Sequence, residues 1–131
     1  MVVVVAELAV PDIVIFPFKE NDTIIYIQGR LFKGNLKYVN LRGIPKPLYN
    51  HNILMTLSKG NIVHICEGVP DAISLTGVGK LAVGVLGATS FKKEWVESIL
   101  PYKIMIVPDG DDAGKVFAKE ISDMFRKRAK N

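Results

Sequence analysis

Apolar and polar positions along this chain change period partway through. IVIFPF (Ile13 to Phe18) and TIIYIQGRLF (Thr23 to Phe32) are β-branched and aromatic runs either side of a short polar connection, KEND, which predicts a hairpin. NLKYVN (Asn35 to Asn40), after a Gly34-Asn35 turn, predicts a third strand. LRGIPKPLYN then holds two prolines and a glycine, too many backbone breaks for a helix or a central strand, and is expected to be a connector. From Asn61 onward strands and helices alternate. IVHIC, LAVGV and KIMIV are short apolar strands. VPDAISLTG has Pro70 suited to a first helical turn and Gly77 suited to a stop. SFKKEWVESIL spaces Phe91, Trp95 and Ile99 as on one helix face and is closed by Pro101. Ala113, Phe117, Ile121, Met124 and Phe125 form one stripe on a last helix running to about Arg128. Three apolar strands separated by helices predict a parallel sheet with right-handed crossovers.

The expected class is therefore α/β: a small β-rich subdomain over residues 1–58, then a parallel sheet flanked by helices over 59–131. A length of 131 residues allows one core with a small appendage, not two full-sized domains. The single cysteine, Cys66, excludes a disulfide framework and a zinc ribbon, and fits a reducing, cytoplasmic setting. MVVVVAELAV looks briefly like a signal peptide, but it lacks a basic start and is broken by Glu7. No apolar run approaches the roughly 18 residues that span a bilayer, so no membrane partner is expected. With 17 Lys and Arg against 13 Asp and Glu, the net charge of +4 permits an anionic partner without demanding one. Much of the excess lies in the tail FRKRAKN, either a phosphate-docking element or a solvated helix end.

The acids gather elsewhere. In a parallel sheet all strands end at one edge, so residues that follow different strands become neighbours there. Glu67 directly follows IVHIC, while Asp109 and Asp111 follow KIMIV and Pro108. Asp71 falls in the first turn of the next helix, close enough to contribute from behind or to complement the helix dipole. Gly68, Gly110 and Gly114 allow sharp turns and close approach. Carboxylates that converge without a Lys or Arg in the same motif hold one another's pKa up unless a cation neutralises them. Hard oxygen ligands point to Mg²⁺ or Mn²⁺, and such a site takes further ligands from substrate phosphates, which favours phosphoryl transfer. An EF-hand reading of DGDDAGKVFAKE fails on Ala113 at loop position 5 and on the β-type run that precedes it. One of Asp111 and Asp112 must cap the last helix; Asp112 is the better helix-start residue, leaving Asp109 and Asp111 for metal.

With Glu-Gly after one strand and Asp-x-Asp after a later one, the sequence resembles the Toprim domain. CEGVPDAISL and PDGDDAGKVFA are similar to the metal-site elements of the DnaG-type primases of bacteria and phages. IFPF, IQGRLF, LKYVN and PKPLYN match, in order, the blocks that precede Toprim in that catalytic core, so the resemblance covers roughly Ile13 to Phe125. It implies that Glu67, Asp109 and Asp111 are catalytic and hold Mg²⁺, with Mn²⁺ as a substitute, and that Asp71 and Gly68 support them. It implies that Arg30 and Lys37, and with less specific matches Asn40 and Lys46, serve nucleic acid and nucleotide phosphates. The activity implied is RNA primer synthesis on single-stranded DNA from nucleoside triphosphates, in a phage or mobile-element protein, with a replicative helicase as a further partner. In that family the sheet continues past the last helix into a strand with further acids, which this chain does not reach. A Toprim-type metal-dependent nuclease and a noncatalytic nucleic-acid-binding module therefore remain as alternatives.

The other conspicuous residues read as structural. His64 sits on a short apolar strand and is expected to be a core histidine, His51 to start a helix, and Trp95 to lie on a core stripe. Cys66 lacks a partner that would make it a nucleophile. Tyr38 and Tyr49 suit either base stacking or ordinary half-burial.

Overall fold

The computed structural model describes residues 12–32 and 37–130, and the chain divides into two compact units, Met1–Ile44 and Pro45–Asn131. MVVVVAELAV, the Gly34-Asn35 turn and the expected start of the third strand lie outside the described residues.

In the first unit β1 (Ile13–Glu20), β2 (Thr23–Leu31) and β3 (Tyr38–Asn40) form an antiparallel sheet in that order. Glu20 pairs with Thr23, which leaves Asn21 and Asp22 as a two-residue turn with φ of 49° and 64°. Positive φ at both positions matches the twist of the strands, and Asn and Asp tolerate it better than most residues with a Cβ. The register slips after Phe18, where Phe18 pairs with Tyr26 but Lys19 with Ile24. By alternation Phe18, Tyr26, Gln28, Arg30, Tyr38 and Asn40 share one face. On it the Phe18 and Tyr26 rings meet edge to face, 5.2 Å apart.

The second unit contains β4 (Ile62–Glu67), α1 (Val69–Gly77), β5 (Leu81–Val85), α2 (Lys93–Ile99), β6 (Lys103–Val107) and α3 (Asp112–Ala129). Its sheet is parallel, in the order β5-β4-β6. Because β5 and β6 lie on opposite sides of β4, crossovers of one hand send α1 and α2 to opposite faces. The side chains of β4 divide accordingly. Val63 and Ile65 join Val83, Val85, Trp95, Ile99, Phe117, Ile121 and Phe125 in the main core, while Cys66 packs with Ala72 and Ala82. A strand buried on both faces reads as a continuous apolar run, as IVHIC does. His64 is buried, and its Nδ1–H donates to the Leu81 carbonyl at 3.0 Å, the role of a core histidine.

Residues 45–58, expected to belong with the N-terminal subdomain, form part of the second unit. Leu48 and Leu54 are buried in its core, Tyr49 exchanges two backbone hydrogen bonds with Gly84, and the Tyr102 hydroxyl donates to the Leu54 carbonyl at 2.8 Å. A 3₁₀ turn spans His51–Met55 within this stretch. Isolated apolar residues among prolines carry no period, so nothing in the pattern announced their burial.

Helix ends depart from expectation in small ways. Gly79, not Gly77, stops α1: at φ 83° it donates to the Thr76 carbonyl while Lys80 N–H donates to Leu75, closing a Schellman motif. Phe91 precedes α2 and meets Trp95 edge to face at 5.4 Å. On α3 the buried stripe is Gly114, Phe117, Ile121 and Phe125, and Ala113 is exposed. Arg128, in the last turn of α3, makes a two-pronged hydrogen-bonded ion pair with Glu97 on α2. Among the described residues no helix is long and apolar enough to cross a membrane.

Candidate metal centre

Glu67 is the last residue of β4, and Asp109 stands two residues beyond β6, the strand paired directly with β4. Cys66 is in register with Val107, so the chain leaving β6 passes beside Glu67. The Asp109 N–H donates to Glu67 Oε2 at 3.0 Å, joining the ends of the two strands. Asp111 is the N-cap of α3: its backbone is extended, and its Oδ1 accepts the Gly114 N–H at 2.7 Å. Asp112 is the first helical residue, as expected of a helix-start residue, but the capping itself falls to Asp111, one of the two aspartates expected for metal. Capping uses one carboxylate oxygen. Glu67 and Asp111 each spend one oxygen on a backbone N–H, which fixes the orientation of the carboxylate, and each keeps a second.

Asp71 enters from the first turn of α1, after Gly68 has turned the chain at φ 105°. Burial holds the Asp109 carboxyl above the usual range, helped by the negative charges of Glu67, Asp71 and Asp111 and by a hydrogen bond shared with Asp71. Glu67, Asp71 and Asp111 are therefore each near enough to act on Asp109, and none of the four is in the ion pairs found among the described residues. Also among the described residues, no three His, Cys, Asp or Glu side chains converge as a ready ligand set. Mutually repelling carboxylates with oxygens to spare suit a hard cation that keeps several waters and needs few protein ligands. They do not suit one that demands a closed cage. Cys66, beneath this edge, has its thiol pushed up to about 11 by burial and by the charge of Asp71, which removes it as a nucleophile at neutral pH.

The residues assigned to nucleic acid and nucleotide divide between the units. Arg30 on β2 lies with its guanidinium 4.7 Å from the ring centre of Tyr38, its partner on β3, so Tyr38 presents one face to a cation. Lys37 is exposed beside them, its carbonyl accepting the Leu31 N–H. The Asn40 side-chain oxygen accepts from the Tyr26 hydroxyl at 3.0 Å and from Gln28 Nε2 at 3.2 Å, a structural use that the sequence did not announce. Lys46 belongs to the second unit.

Of the three glycines expected to permit close approach, Gly68 has positive φ and Gly114 is packed against the Asp109 backbone, but a Cβ on Gly110 would meet nothing within 4 Å. Gly84 was missed: a Cβ there would lie 3.0 Å from the Gly68 carbonyl oxygen. Its signal was available, since a glycine inside an apolar strand marks a close backbone approach.

A three-stranded parallel sheet with helices on both faces, an acidic edge and a preceding antiparallel sheet define a Toprim-like α/β protein. The model of the Toprim-like family matches residues 64–131, and the chain belongs to that family. It is 34% identical over 116 residues to the Gene 57 protein of Mycobacterium phage D29, an alignment covering 88% of this chain and 75% of that protein. The solved structure of the DnaG catalytic core matches with a TM-score of 0.67 at 23% identity over 82% of this chain, which establishes a shared fold. The chain spans only 38% of the length of that core.

Proposed function

We propose that this chain is a DNA primase-like nucleotidyltransferase core that binds Mg²⁺ at Glu67, Asp109 and Asp111 and extends an RNA primer on single-stranded DNA. The observation that carries this reading is the pair of anchored carboxylates, Glu67 and Asp111, either side of Asp109, each held by a backbone N–H with one oxygen left over. In the reaction a 3′-hydroxyl oxygen forms a bond to the α-phosphorus of a nucleoside triphosphate, the bond to the bridging oxygen breaks, and pyrophosphate leaves. A divalent cation bound there would supply positive charge to offset the negative charge developing on the phosphate oxygens. In the alternative where Glu67 does not ligate the ion, its remaining oxygen takes the hydroxyl proton instead. Arg30 and Lys37 of the first unit hold template or nucleotide phosphates, the arginine as a fork and the lysine as a point charge. The preceding β-rich unit is thus the template-handling part and the Toprim-like unit the chemical part.

Incubating the full chain with single-stranded DNA, nucleoside triphosphates and Mg²⁺ or Mn²⁺ is expected to yield oligonucleotides, and Asp109→Ala to abolish them. No product, or product undiminished by Asp109→Ala, refutes the reading. Degradation of labelled nucleic acid without added triphosphates would instead assign water as the nucleophile. The lack of a converged ligand set among the described residues favours a second reading, a noncatalytic nucleic-acid-binding module. That reading requires salt-sensitive DNA binding that survives both EDTA and Asp111→Ala.

A further inference from the structure

Gly114 touches both halves of the aspartate pair. Its N–H holds Asp111 Oδ1 at 2.7 Å. Its α-carbon lies against the main chain of Asp109, where a Cβ would stand 1.9 Å from the Asp109 carbonyl oxygen, 2.8 Å from the carbonyl carbon and 3.1 Å from the nitrogen. These are backbone atoms, which cannot swing aside as a side-chain tip can. A methyl group at 114 must therefore drive the Asp109 peptide and the first turn of α3 apart by about 1 Å before even the tightest acceptable contact is restored. The same displacement acts on the Asp109 N–H held by Glu67 Oε2 at 3.0 Å. Gly110, between the same two aspartates, is the natural contrast, because its α-carbon faces open space.

We propose that Gly114 is a positioning residue: its bare α-carbon against Asp109 and its N–H on Asp111 set the spacing of the two carboxylates, and through it the size of divalent cation accepted. This rests on the metal-binding reading above. Mg²⁺ demands near-octahedral oxygens at roughly 2.0–2.1 Å, whereas Ca²⁺ accepts roughly 2.3–2.6 Å in looser geometry. Forcing the pair apart therefore penalises the smaller ion more.

Calorimetric titration of the full chain with Mg²⁺ and with Ca²⁺, in wild type, Gly114→Ala and Gly110→Ala, tests this alongside hydrogen exchange of the Asp109 amide. Gly114→Ala is expected to weaken Mg²⁺ about tenfold, to weaken Ca²⁺ much less, and to speed exchange at Asp109; Gly110→Ala changes none of the three. An unchanged Mg²⁺-to-Ca²⁺ ratio in Gly114→Ala, or the same change in Gly110→Ala, overturns the proposal. So does equal weakening of both ions with faster exchange throughout α3, the mark of a merely structural glycine. Should Gly114→Ala lack a cooperative thermal transition, the wild-type chain decides. Mg²⁺ should move the Gly114 and Asp109 amide resonances together and more than Ca²⁺ does, and a Gly114 amide indifferent to Mg²⁺ overturns the proposal. If wild type binds neither ion, the metal-binding reading fails and takes the ion-size claim with it; binding with an unaltered ratio refutes the Gly114 proposal alone.

Discussion

Asp109 holds its proton more tightly in the folded chain than an unfolded carboxyl would, through burial and the neighbouring charges of Glu67, Asp71 and Asp111. Between the ordinary carboxylate pKa and the raised one the native state binds more protons than the unfolded state, so this residue makes stability rise as pH falls through that window. At neutral pH its ionised form costs stability. In metal-free buffer, Asp109→Asn is therefore expected to melt at a higher temperature than wild type at pH 7 and to show a flatter dependence on acidification, both measurable by thermal unfolding followed by circular dichroism. A lower melting temperature in the variant would contradict the electrostatic account. Excess Mg²⁺ should narrow the gap by stabilising wild type alone. The convergence of Glu67 and Asp109 was legible in the sequence because each directly follows an apolar strand. The approach of Asp71 was expected from its place in the first helical turn, but its hydrogen bond with Asp109 was not, because that depends on where the first turn of α1 comes to rest.

At the scale of elements, Asp111 and Asp112 separate two kinds of helix-start residue. Asp111 accepts the Gly114 N–H, while Asp112 makes an exposed contact with Lys115 at 3.4 Å, which contributes little. Asp111→Ala is expected to cost about 1 kcal/mol in urea unfolding, and Asp112→Ala to leave the urea midpoint close to that of wild type. The cap outweighs the repulsion relieved by removing Asp111, because charges this exposed are screened by water. Both are aspartates and suit either place, so residue type could not assign them; the extended backbone at Asp111 does. The same limit applied to α1, where Gly77 was expected to be the stop and φ 83° at Gly79 selects the other glycine.

At the scale of the whole molecule, the second unit begins at Pro45 and includes Leu48, Tyr49 and Leu54. A fragment of residues 45–131 is expected to unfold cooperatively, whereas one of 59–131, which lacks two buried leucines and the Tyr49 bridge to Gly84, should melt well below it or not at all. Equal melting temperatures by differential scanning calorimetry would show that the 45–58 stretch adds nothing. The alternation of strands and helices after Asn61, the parallel direction of the sheet strands and the approach of Glu67 to the Asp109 loop were determined by sequence alone. Each follows from a local period or from the rule that parallel strands share an edge. The tertiary structure decided which aspartate caps α3, which glycine admits the Asp109 backbone, and to which unit the proline-rich stretch belongs. Those outcomes depend on distances between segments far apart in the chain, set by packing to within an ångström, and no residue type or spacing encodes a distance of that kind.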